Sequence, residues 1–123
     1  MGRYEEAIAS YDKGLEFKPD DDAAWNNRGI ALGNLGRYEE AIASFDKALE
    51  INPNNANIYY NKACSYSLQN NLELAIQNLQ QAIKLDEQYR EMAKTDQDVD
   101  NIRDHELFQT LINLYTSNGK NHE

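Results

Sequence analysis

Few residues in this chain have the types and spacing that chemistry requires. Cys64 is the single cysteine among 123 residues, which excludes an internal disulfide and a cysteine-based zinc site. No histidine or second cysteine stands at ligand spacing from it. The sequence therefore gives it a packing or groove role rather than a nucleophilic one. His105 lies between Asp104 and Glu106, and adjacent residues of a helix do not face one another. His122 falls in a polar tail. The run Asp96-Gln97-Asp98-Val99-Asp100 opens like a calcium loop, with oxygen ligands at alternate positions. Asn101 then stands where that loop needs glycine, and Leu107 where it needs a bidentate glutamate, so the run reads as a solvated acidic linker. Neither Gly2 nor Gly36 is followed by the lysine and serine of a phosphate loop. No catalytic, cofactor-binding or metal-ligating set is expected, and the chain reads as a non-enzyme.

The elements that carry these residues repeat. Residues 2–10 return unchanged as 36–44, and Pro19 returns as Pro53, an offset of 34. A period of this length marks stacked helix-turn-helix units, each burying its apolar face on its neighbour. Tyr4, Ala7, Ile8, Tyr11 and Leu15 make one apolar stripe at helical spacing, and Tyr38, Ala41, Ile42, Phe45 and Ala48 repeat it. Helices are expected over about 4–17, 22–35, 38–51, 56–69, 72–85, 88–94 and 105–117. Asp21 or Asp22 is placed to cap the second. Gly36 closes it in left-handed geometry, with Asn70 taking that place one period on.

These residues resemble the tetratricopeptide repeat. Its large aromatic, small, apolar, turn-glycine, alanine, aromatic, alanine and proline landmarks fall in 22–55 on Trp25, Gly29, Leu32, Gly36, Ala41, Phe45, Ala48 and Pro53. In 56–89 they fall on Tyr59, Ala63, Tyr66, Asn70, Ala75, Leu79, Ala82 and Glu87. The resemblance covers about 2–89 and implies an all-α, right-handed superhelical solenoid of antiparallel helix pairs with a C-terminal capping helix. Small residues at Gly29 with Ala41, and Ala63 with Ala75, would let paired helices approach closely. Arg28 and Lys62 depart from the family's usual leucine, and their heads should snorkel to a carboxylate. The expected organisation is a second helix of a truncated repeat (1–21), two full repeats (22–55 and 56–89), a shortened unit with a capping helix (90–117) and a tail (118–123). The opening helix would then lack its partner. Further repeats upstream, or homodimerisation through Tyr4, Ile8 and Tyr11, would cover it.

The resemblance also implies a concave face lined by the first helix of each pair, along which a protein or peptide partner lies. Mapped by position, that groove comprises Asn26, Asn27, Ile30, Asn34, Asn57, Tyr60, Asn61, Cys64 and Lys94. Asn27 and Asn61 would grip a ligand's backbone, since an amide donates and accepts at once. Tyr60 and Ile30 would add apolar contacts. A protein–protein interaction scaffold is expected. The alternative is a structural or regulatory repeat segment of a larger protein. Net charge is −9, from 12 basic and 21 acidic residues. This disfavours nucleic acid, and either attracts a basic partner or simply maintains solubility. No leader and no membrane span are visible, so the cytoplasm is the expected compartment. No cofactor is expected.

Overall fold

The computed structural model describes residues 2–113. Among these there is helix and turn and no strand. α1 (Gly2–Phe17) precedes two hairpins, α2 (Asp22–Asn34) with α3 (Tyr38–Ile51) and α4 (Ala56–Leu68) with α5 (Leu72–Leu85). Then come α6 (Gln88–Thr95), a 3-10 turn (Gln97–Val99), α7 (Asp100–Arg103) and helical residues 106–113. α2 packs closely on α3 and α4 on α5, while α1 meets α2 and α3 meets α4. This is the all-helical repeat solenoid that the period predicts. Leu114, Tyr115, His122 and the tail lie outside the described residues. No helix among those described is long and apolar enough to cross a membrane.

Local chemistry sets the helix ends. The Asp21 side chain accepts from Ala24 N (3.1 Å), and Asn55 accepts from Asn57 N (3.0 Å), so the first amides of α2 and α4 are satisfied. At the far ends Gly36 has φ 80° and Asn70 φ 62°. Arg37 N reaches Leu32 O and Asn71 N reaches Tyr66 O, both at 2.9 Å. The same C-terminal closure therefore occurs twice, 34 residues apart.

Two apolar clusters hold the stack. Ile8, Leu32, Ala41, Phe45, Ala48 and Ile58 form one, with Trp25 half-buried at its edge. Leu79, Ala82, Ile83, Val99, Ile102, Phe108 and Ile112 belong to the other, with Tyr59 half-buried beside it. Phe108 and Ile112 bring helical residues 106–113 onto the second hairpin, which is the covering role expected of that segment. Val99 and Ile102, expected in irregular chain, are buried on short helical turns. The close approach at Gly29 is to an aromatic ring: a Cβ there would lie 2.5 Å from Phe45 Cε1. One period on, Leu79 replaces the ring, and Ala63 fits fully buried.

Arg28 and Lys62 behave as their positions predict. Arg28 Nε bonds Asp12 (2.6 Å), and Lys62 Nζ bonds Asp46 (2.7 Å). Both cations and both carboxylates are 34 residues apart, so one tie joins successive units twice. With the carboxylates about half exposed, each contributes about 0.5 kcal/mol.

Candidate ligand cleft

α2 and α4 approach one another across the seam between the two hairpins. Asparagines bridge them at one end. Asn26 donates to Asn57 Oδ1 (3.1 Å), and Asn61 Nδ2 donates to Asn26 Oδ1 (3.0 Å) and Asn57 Oδ1 (3.2 Å). Asn57 Nδ2 donates to the Tyr89 hydroxyl (3.2 Å), which carries the network onto α6. The amino group of Asn61 is therefore engaged within the fold, while its Oδ1 accepts nothing among the described residues. Asn27 is exposed, and its amide bonds no other described residue.

Further along the seam a cleft of about 290 Å³ opens. Of the residues expected to form a groove, Ile30, Asn34, Asn61 and Cys64 line it together. Asn26, Asn27, Asn57, Tyr60 and Lys94 do not. Lys94 is exposed on α6 and pairs with Glu91 (2.9 Å). Tyr60 corrects the expectation most clearly. It is 4% exposed, its hydroxyl donates to Asp96 (2.6 Å), and its ring lies 4.9 Å from that of Tyr89. α6 and the turn after it fold over this side chain, so it serves the interior rather than a ligand. Ile8 is likewise buried on α2, leaving Tyr4 exposed and Tyr11 half-buried as the rest of the expected self-association patch.

Electrostatics separate chemistry from geometry. Cys64 Sγ and carboxylate oxygens of Asp96 and Asp98 lie within 4.8 Å of one another, the one grouping in the described residues with metal-ligand types. Burial first, then the charges of Asp96 and Asp98, push the Cys64 thiol well above its ordinary range. Held protonated, it is a poor nucleophile. Burial and the Asp96 hydrogen bond raise the Tyr60 phenol in the same direction. The Asp98 carboxyl is also raised, by burial and then by its neighbours Asp96 and Asp100.

Leu68, a first-helix position on the expected concave face, also lines the cleft, and so do Ser65 and Asp98, which the sequence does not place there. The signal for Asp98 was present. Ile30 and Cys64 are 34 apart, and the next step lands on Asp98. The same step from Tyr60 reaches Lys94.

Three repeat models match the chain: two described as tetratricopeptide repeat, over residues 23–55 and 44–77, and one described as TPR repeat, over 1–36. Among solved structures, MamA MSR-1 is 35% identical with a TM-score of 0.67, covering 70% of this chain and 49% of that one. MamA 41-end from Desulfovibrio magneticus RS-1 is 22% identical with a TM-score of 0.75, covering 97% and 66%. The first TPR of Spaghetti (RPAP3), bound to the HSP90 peptide SRMEEVD, is 19% identical with a TM-score of 0.70, covering 94% and 82%. The chain thus spans about half the length of the MamA chain to which it is more similar in sequence. Comparison with curated proteins gave no match.

Proposed function

The chain belongs to the tetratricopeptide repeat family, and from that premise we propose that its α2–α4 cleft receives an extended peptide segment of a protein partner. Membership of a family of protein-interaction scaffolds supports the function class, and the cleft supports this location for it. One observation carries the reading. Ile30, a large apolar side chain 40% exposed, stands on the cleft wall beside two amides with unused hydrogen-bonding groups, Asn34 and Asn61. An extended peptide needs that combination. Its backbone has donors and acceptors to satisfy, and its alternate side chains need apolar surface.

The peptide held by the first TPR of Spaghetti does not transfer with the fold. SRMEEVD carries three acidic side chains, and among the described residues the cleft here is lined by Asp98 and by no lysine or arginine. Homodimerisation through α1 finds less support, because Ile8 is spent on the core.

Panning a random peptide library on the folded chain tests the reading. Selected peptides should lose at least about tenfold in affinity for Ile30→Asp, which sets an unpaired charge in the contact. They should lose about threefold or more for Asn61→Ala, the scale of one buried hydrogen bond. Ile51→Asp, an exposed change on α3 away from the cleft, should leave them bound. Peptides that bind all three variants as they bind the parent would overturn the proposal.

A further inference from the structure

The cleft is charged in one sense only. Among the described residues, Asp98 is its one carboxylate, and no lysine or arginine lines it. The cations of the flanking elements are engaged elsewhere: Arg28 with Asp12, Lys62 with Asp46, Lys94 with Glu91 and Arg103 with Asp100. Neighbouring aspartates are engaged too, Asp96 with the Tyr60 hydroxyl and Asp100 with Arg103. The Asp98 carboxylate has neither a cation nor a hydrogen-bond donor among the described residues, although Asp96 Oδ1 fixes its backbone amide (2.9 Å). A second, independent observation points the same way. Ser65 is 4% exposed, lines the cleft, and its hydroxyl has no partner among the described residues. A carboxylate and the hydroxyl of a buried serine therefore meet one space, both with acceptor capacity unused.

Taking the cleft as the peptide site, we infer that the segment it receives carries a lysine or arginine whose cation seats against Asp98, with its aliphatic stem along Ile30 and Leu68. Both parts of such a side chain find their match. The stem covers apolar surface while the head reaches a charge. The ammonium or guanidinium supplies the donors that Asp98 and Ser65 lack. Asp98 is an exposed residue whose carboxyl pKa is raised by partial desolvation and then by the charges of Asp96 and Asp100, and an incoming cation offsets both. The net charge of −9 draws a basic segment from a distance, but it does so over the whole surface. Asp98 supplies the local discrimination.

Two nine-residue peptide libraries serve as the probe. Eight positions are randomised in each, and the central residue is fixed as lysine in one and as norleucine, its uncharged counterpart, in the other. The parent chain should retain the lysine-centred library at least about threefold better, the scale of a partly exposed ion pair. Asp98→Asn should bring that ratio to about one, with an unchanged circular dichroism spectrum. Glu73→Gln, an exposed carboxylate on α5, should leave the ratio as it is. A ratio of one in the parent, or a preference that survives Asp98→Asn or falls equally with Glu73→Gln, overturns the inference. The norleucine-centred library separates this from failure of the cleft itself. If its binding is lost in Ile30→Asp, the peptide site stands without the basic preference. If neither library responds to Ile30→Asp, the site falls as well.

Discussion

At the scale of single residues, Tyr60 and Cys64 show how burial changes what a reactive group can do. Both are nearly inaccessible and stand beside Asp96, which is itself bonded to the Tyr60 hydroxyl. Both groups are acids whose ionised form the fold disfavours. Their folded pKa values lie above the ordinary 9.0 and 10.0. As pH rises through those ordinary values, the unfolded chain releases protons that the folded chain retains. Stability is thus fully present below about pH 9 and declines above it, by up to about 1.4 kcal/mol per pH unit for each group. The urea midpoint should hold from pH 7 to 8.5 and fall beyond 9. Cys64→Ala and Tyr60→Phe should each make that fall shallower, and a slope unchanged in both would refute the assignment. Sequence alone placed Tyr60 on the open groove because its register matched. What it could not convey was that residues 88–103 would fold over it, since that depends on where Val99 and Ile102 find apolar partners.

Helix pairs are the next scale, and here the sequence was most legible. Asp21, Asn55, Gly36 and Asn70 each act through their own backbone neighbourhood, so residue type alone reveals the turn. The Arg28 and Lys62 ties were readable for a similar reason, since a cation in an apolar stripe needs a carboxylate within reach. Packing inside each pair was readable only in part. Gly29 was expected to make room for Ala41, whereas the structure sets the Phe45 ring against it. The two hairpins solve one volume problem differently, with glycine opposite phenylalanine in the first and alanine opposite leucine in the second. Gly29→Ala should therefore destabilise the chain by about 1–3 kcal/mol, the range for overpacking a filled core. Combining it with Phe45→Leu should recover much of that loss, because the pair then copies Ala63 and Leu79. Urea unfolding of the four members of this cycle measures the coupling, and simple additivity would refute the account.

For the molecule as a whole, the period ceases to predict beyond α5. α6 keeps the register only as far as Lys94, and Glu87 replaces the proline that marked earlier boundaries. The segment that follows closes the second cluster by burying Phe108 and Ile112. Arg90 secures it there by donating to Ile112 O (2.8 Å). Phe108→Ala should cost about 3–5 kcal/mol, as truncation of a buried aromatic does. In a stack whose units touch only their neighbours, the loss should be felt unevenly. Amide exchange should accelerate most in α4 and α5 and least in α1 and α2. Uniform acceleration would show one indivisible cooperative unit instead. Part of the cleft is legible at this scale, through Ile30, Asn34, Asn61 and Cys64. Asp98 lies on the same 34-residue step as Ile30 and Cys64, but the acidic run around it reads as a linker, which hides that register.

The placement of the cleft over the seam has a mechanical corollary. One wall belongs to the cluster around Phe45 and the other to the cluster around Cys64, so any change in the angle between the two stacks widens or narrows the mouth. An occupant touching both walls would act as a splint on that hinge, and tension that opened the hinge would by the same linkage loosen the occupant.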